Sequence, residues 1–343
     1  MSNLPSPSVA RVVSGEPLIG ITRGDIVESA HTVVACAISA AGDAIFSMGD
    51  VDVPIYLRST AKPFIAAGVI AAGARERFGL TAQEIAVMAA SHSGQPFHLA
   101  AVRSILNKID LPGSALQCGT HAPYNAAAAA ALQKDGAVPT ALHNNCSGKH
   151  AGILALCRIL GSDPATYLEP SNAAQQHILA FCARISDERS ETFPIGVDGC
   201  GIPVYATPLR NAALSFMRLA TLHGIDRADA AALRIVRDAM IAFPEYVSGT
   251  GEFDTRLMQT ASGAIACKGG AEGVHGTAAI DAGIGLVCKV VDGASRARAP
   301  SVLTILRRLQ VLSQRQLDQL DDLEHPVIYN RAGRAVGTTV SLV

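Results

Sequence analysis

A serine and a lysine three residues apart, Ser59 and Lys62 in the run Arg58-Ser59-Thr60-Ala61-Lys62-Pro63, have the spacing best suited to nucleophilic chemistry in this chain. On the first turn of a helix, positions i and i+3 share a face. A buried, neutral lysine there takes the serine proton and leaves an alkoxide-like nucleophile suited to an amide carbonyl. Ser-x-x-Lys alone also occurs on solvated helix faces, so it needs support from elsewhere. Ala90-Ser91-His92-Ser93-Gly94-Gln95 lies where one apolar helical stretch ends and another begins, and the local default is Ser93 capping the second. His143-Asn144-Asn145-Cys146-Ser147-Gly148-Lys149-His150 opens an apolar helix on which Cys146 shares a face with Lys149 or with His150. Val197-Asp198-Gly199-Cys200-Gly201 puts a second cysteine in a glycine turn after a strand. Two such cysteines near His, Lys and Asp could hold zinc, although CxxC spacing is absent. Finally, Cys267-Lys268-Gly269-Gly270 ends a strand in a lysine without bulky neighbours, which lets another chain or a substrate approach the backbone.

The elements that must position these patches can be read from apolar spacing. Alternation at 18–21, 32–38 and 44–48, punctuated by Gly24, Gly42 and Gly49, predicts hairpin-linked antiparallel strands. From residue 61 to about 183 the apolar period becomes three to four, predicting a run of helices, one opened by a Thr81/Glu84 capping box. Strands return at 192–197 and 204–208, followed by helices at 210–220 and 227–243. Further strands are predicted at 263–268, 275–280, 285–291 and 335–343, with a helix over 300–311 and a hairpin turn at 330–333. This order implies an α+β fold: an antiparallel sheet built from both chain ends and flanked by helices, with an inserted, mainly helical subdomain. The expected organisation is one catalytic domain over 1–343, its sheet part about 10–57 and 190–343 and its helical part about 58–189.

Composition narrows the function classes. With 49% hydrophobic and 17% charged residues in 343, the chain can bury a sizeable core and is not disordered. A net charge of -1 and no basic run among aromatics exclude nucleic acid and anionic membrane as expected partners. Residues 1–15 lack a basic start followed by an apolar stretch, and no apolar run approaches spanning length, so a cytoplasmic protein is expected. In that compartment eight scattered cysteines read as reduced, mostly core residues.

Taken together, the patches follow the chain order of penicillin-recognising serine enzymes: Ser-x-x-Lys, a serine triplet in the helical part, and Lys-x-Gly on a late strand. The middle triplet here lacks Asn, and Gly269 replaces the usual hydroxyl residue, which favours a small amide over a β-lactam. The runs Arg58–Pro63, Ser91–Gln95, His143–His150 and Val197–Pro203 closely resemble the rhizobial-type, or class 3, L-asparaginases, over roughly residues 10 to 340. That resemblance implies an L-asparagine amidohydrolase, a homodimer, with a β-lactamase/glutaminase-like fold. It implies two Ser–Lys tandems, Ser59 with Lys62 and Ser91 with Lys268, and a zinc site of Cys146, Lys149 and Cys200. The residues alone would have nominated His150 over Lys149, because neutral lysine is a rare ligand. Arg58, His92, Asp198 and Gly269 are expected to contact substrate, with Asp198 close to the metal. Zinc is expected to order the pocket rather than supply the nucleophile. Which serine becomes acylated is open, and so is the preference for asparagine over glutamine. The competing readings are a glutaminase or β-lactamase-like hydrolase, and a non-catalytic amino-acid- or zinc-binding protein.

Overall fold

The β-branched run Ile26–Ser39 forms the longest strand of the molecule, β2, and its length decides the sheet. The structure is a computed structural model that describes residues 13–343. The opening residues 1–12, most of the stretch read for a targeting signal, lie outside the described residues. β2 is long enough to take three partners: β1 (Glu16–Arg23) along one edge, and β9 (Ile284–Val290) and β3 (Ala44–Met48) along the other parts of its length. The remaining strands extend this sheet outward: β8 (Val274–Ala279) and β7 (Ile265–Gly269) beyond β9, and β11 (Ala335–Ser341) and β10 (Val327–Tyr329) beyond β1. Every pairing is antiparallel, and β11 lies directly on β1, so the sheet draws on both halves of the sequence as the alternation predicted.

Helices cover the sheet because its inner residues are apolar. The Leu209–Thr221 helix packs on β2, β8 and β9. It fits only because Gly276 and Gly285 are glycines: a Cβ at Gly285 would strike the backbone of Ala213 and Met217, and one at Gly276 the Phe216 ring. Phe216 in turn meets Phe64 edge to face at 5.2 Å, tying this helix to the Lys62–Ala71 helix. That helix is the hub of the helical block, packed against the Ser147–Leu160, Ala173–Ser186 and Arg227–Ala242 helices. The capping box is present as predicted, with Glu84 N donating to Thr81 Oγ1 and Thr81 N to Glu84 Oε2.

A second, three-stranded sheet, β4 (Pro54–Tyr56), β6 (Pro203–Pro208) and β5 (Ile195–Val197), matters more for chemistry than its size suggests. Tyr56 pairs with Ala206, and Leu57 N donates to Tyr205 O, which delivers Arg58 and Ser59 beside the Asp198–Cys200 turn joining β5 to β6. The sequence reading missed β4 and β10, since three residues carry no measurable period. The strand expected over 192–197 is likewise only Ile195–Val197. Ser93 does not cap the following helix. Pro96 occupies its first turn, so Gln95 becomes the N-cap, with Gln95 N donating to His98 Nδ1.

Candidate active site

Arg58 opens a short 3-10 turn, Arg58–Ala61, that runs into the Lys62–Ala71 helix. It does so at φ +50°, a left-handed conformation that an arginine adopts only under constraint. The constraint is visible: Arg58 Nε donates to Asp198 Oδ1 at 2.9 Å, an ion pair across the small sheet. In a 3-10 turn residues three apart eclipse, which sets Ser59 and Lys62 on one side. Lys62 is buried to 1% exposure.

Lys62 Nζ contacts three acceptors, Ala90 O at 2.7 Å, Ser91 Oγ at 2.9 Å and Cys146 Sγ at 3.2 Å. Burial lowers its pKa from the ordinary lysine value, only partly opposed by Cys146. A neutral amine has two N–H bonds and one lone pair. In the resting site Ala90 O, Ser91 Oγ and Cys146 Sγ all accept from Lys62 Nζ, and once deprotonated the amine can turn its lone pair on the Ser91 hydroxyl. The expected tandems are therefore arranged differently in the resting site: the serine held by Lys62 is Ser91, while Ser59 stands beside them on the cavity wall. Ser91 is carried there by the loop between the Ala82–Met88 and Pro96–Lys108 helices, with Ser91 N on Val247 O. Cys146 reaches Lys62 because Gly148 lets the Ser147–Leu160 helix press onto the backbone of Val87.

The cysteine motifs converge as well. Lys149 Nζ lies 2.9 Å from Cys200 Sγ, and Cys200 Sγ lies 3.8 Å from Asp198 Oδ2. His150 turns away, its Nδ1 2.7 Å from Tyr167 Oη, so Lys149 is the residue that joins the cysteines. Cys200 hydrogen-bonds Cys146. That bond, against burial and with help from Lys149 and Lys62, pulls Cys146 well below the thiol range, and the same bond raises Cys200. Each cysteine of the pair thus has a buried lysine against it, Lys62 on Cys146 and Lys149 on Cys200. Burial disfavours the Lys149 charge, yet Cys146 and Cys200 outweigh it and hold the ammonium above its ordinary value.

The late strand supplies the third component. Lys268 donates to Gly269 O at 2.6 Å and faces Asp254 Oδ2 at 3.7 Å. Burial, opposed by Asp254, brings Lys268 down to about 8. Asp254 was not foreseen; it sits on the Phe253–Thr260 helix, takes Gly269 N at 2.7 Å and faces His275 Nε2 at 3.3 Å. Asp254, Cys267 and His275 are all buried and bring ligand atoms within 4.8 Å of one another. Asp254 already serves Gly269 and Lys268, and Cys267 leans on the Asp254 carbonyl, so the trio is a support for Lys268.

Ser59, Ser91, Lys268, Asp254, Glu252 and Arg298 line one cavity of about 630 Å3, with Gly269 and Gly270 in its wall. Arg58 and Asp198 stand paired beside Ser59 rather than in that wall. His92 is wholly buried, its Nδ1 accepting from Gly94 N and its Nε2 meeting Ser147 Oγ at 2.8 Å; burial keeps it neutral.

Two serines and two buried amines around a small cavity are equipment for splitting an amide, and the sequence agrees with that geometry: residues 19–341 match the sequence profile described as L-asparaginase II. The chain belongs to the L-asparaginase II family. The protein is accordingly an asparaginase-type amidohydrolase acting on a small molecule, asparagine. Comparison with curated proteins finds no match. Among solved structures, one titled "Crystal Structure Analysis of Mglu" is similar to this asparaginase at 14% identity and a TM-score of 0.40, covering 88% of this chain and 72% of that one. Among the described residues of the asparaginase, no helix is long and apolar enough to cross a membrane.

Proposed function

We propose that this asparaginase hydrolyses L-asparagine to L-aspartate and ammonia by a Ser–Lys mechanism of the rhizobial type, with Lys62 as base. The 2.9 Å contact of buried Lys62 with Ser91 carries the reading. Ser59 attacks the side-chain amide carbon as its proton passes to Ser91 and the Ser91 proton to Lys62. The relay requires the two hydroxyls, which share one cavity wall, to meet once substrate is bound. The Lys62 ammonium then protonates the departing nitrogen, leaving an aspartyl ester on serine. Water, deprotonated by the same amine, releases aspartate. A second reading, in which Ser91 itself is acylated, is favoured by the same short contact. Lys268, neutral above about pH 8, is assigned to proton traffic in the same cavity. A Ser-x-x-Lys turn beneath an antiparallel sheet also supports kinship with the β-lactamase/glutaminase type of fold, and the resemblance supports a cytoplasmic homodimer.

The test is ammonia release from L-asparagine, L-glutamine and a chromogenic cephalosporin, followed across pH. Asparagine is expected to be the best substrate. A lysine base works only when deprotonated, and burial lowers Lys62 from the ordinary lysine value, so kcat/KM should rise with pH as Lys62 loses its proton below the usual lysine range. A profile flat from about pH 5 to 9 would count against any lysine base, and binding without ammonia release would favour an amino-acid-binding protein.

We assign a zinc ion to Cys146, Lys149 and Cys200, with Asp198 alongside. Lys149 Nζ at 2.9 Å and Asp198 Oδ2 at 3.8 Å from Cys200 Sγ, with Cys146 hydrogen-bonded to Cys200, supply donor types that zinc takes, and their present charge pairing is what a cation would replace. When bound, zinc would fix the thiolates and polarise groups near it. Arg58 and Asp198, held by each other, position the turn that carries Cys200. Cys200→Ala is expected to lose stoichiometric zinc and about 10- to 100-fold in kcat/KM while keeping residual turnover. Metal analysis and ammonia release check this, and a wild type purified with zinc present yet free of it would sink the assignment.

A further inference from the structure

Two opposite charges face the cavity without meeting each other. Glu252 precedes the Phe253–Thr260 helix and makes no capping bond, and Arg298 opens the Arg298–Arg308 helix. The guanidinium spends one N–H on Gly270 O, 3.1 Å away, and its Nε is buried with no partner. Neither side chain has an ion-pair partner within 4.0 Å among the described residues. The guanidinium lines the cavity, and with one N–H on Gly270 O and no such ion-pair partner it keeps donors for an acceptor bound there. The other carboxylate in this wall, Asp254, is already engaged by Gly269 N and Lys268, and Arg58 is engaged by Asp198. Glu252 and Arg298 are the charges still free.

Their position relative to the serines follows from the two glycines between them. A Cβ on Gly269 would lie 3.1 Å from Arg298 Cζ, and one on Gly270 would lie 3.4 Å from Ser59 N. The bare backbone of Gly269-Gly270 therefore forms the floor between the arginine and the serine, low enough for a ligand to lie across it. A ligand spanning that floor meets a cation and an anion at one end and hydroxyls at the other.

We propose that Arg298 and Glu252 form the subsite that reads the α-amino-acid end of the substrate. Arg298 takes the α-carboxylate and Glu252 the α-ammonium, while the side-chain amide reaches the serines. The inference rests on the amidohydrolase reading and deepens it: the enzyme selects zwitterionic amino-acid amides over simple amides.

The experiment compares L-asparagine with two truncated amides, succinamic acid, which lacks the α-ammonium, and 3-aminopropanamide, which lacks the α-carboxylate. Glu252→Gln should raise KM for L-asparagine about 10- to 100-fold with kcat within about twofold, and leave succinamic acid turnover unchanged. Arg298→Gln should do the same for L-asparagine and leave 3-aminopropanamide unchanged, with Arg298→Lys recovering part of the loss. Equal losses on whole and truncated substrates, or a change in kcat alone, would overturn the subsite. Thermal melts guard against misfolding of the Arg298 variants, and the exposed Glu252 provides the variant that keeps the fold. Calorimetric titration with L-aspartate separates the two proposals. Wild-type binding that both variants weaken, without any ammonia release, keeps the subsite and rejects the hydrolase mechanism. Binding untouched by either variant rejects the subsite, whatever the enzyme hydrolyses.

Discussion

Lys62→Met is expected to lower kcat for ammonia release by at least about a thousandfold while the protein still folds. The size follows from the role: general-base catalysis contributes about 10^2- to 10^4-fold, and a serine hydroxyl without a base is a poor nucleophile. Methionine suits the test because it fills most of the lysine volume at a site with 1% exposure and adds no donor. Stability should change little. Removing a buried amine relieves its desolvation, which offsets the lost bonds to Ala90 O, Ser91 Oγ and Cys146 Sγ. The variant should therefore melt within a few degrees of wild type and still bind L-aspartate. Retention of more than about a tenth of the activity would remove Lys62 from the mechanism and turn attention to Lys268.

The second large effect separates the two serines. Ser59→Ala is expected to abolish formation of a covalent aspartyl enzyme, whereas Ser91→Ala, which breaks the relay to Lys62, should slow both acylation and deacylation by about 10^2-fold or more without moving the attachment site. Acid quench during turnover, followed by peptide mass measurement, locates the added aspartyl group on the peptide that holds Ser59 or on the one that holds Ser91. An adduct on Ser91 in the wild type would establish the second reading and make Ser59 a supporting hydroxyl. No adduct in any form, with turnover intact, would point to direct attack by water.

How far the sequence went depended on whether a signal was local. Long strands and helices have periods, so β2, the Lys62–Ala71 helix and the Thr81/Glu84 box were readable. Side-chain spacing within one turn could place Ser59, Lys62, Cys146 and Lys149 on faces, but it could not tell which face met which. The Lys62–Cys146 contact depends on Gly148 pressing onto Val87, a contact between distant segments that no window contains. His92, expected from the resemblance to contact substrate, lies wholly buried instead, its ring closing a network with Ser147 and Gly94. Asp254, Glu252 and Arg298 escaped because they sit at the openings of short helices bordered by ordinary residues, where charge looks like solvated surface. Only the burial of the Arg298 Nε and the bond from Gly269 N to Asp254 distinguish them.

β1 lies between β2 and β11, and Ile19 faces Ser341 across the sheet. During synthesis β1 and β2 can form their hairpin early, but the other margin of β1 stays bare until roughly three hundred more residues have left the ribosome. An unpaired margin in a half-made sheet invites pairing with a neighbouring nascent chain, and contacts so distant in sequence form slowly. The molecule thus depends on its surroundings most while it is being made: crowded polysomes and high expression temperatures should cost yield, and slower translation or a chaperone that shields β1 should recover it.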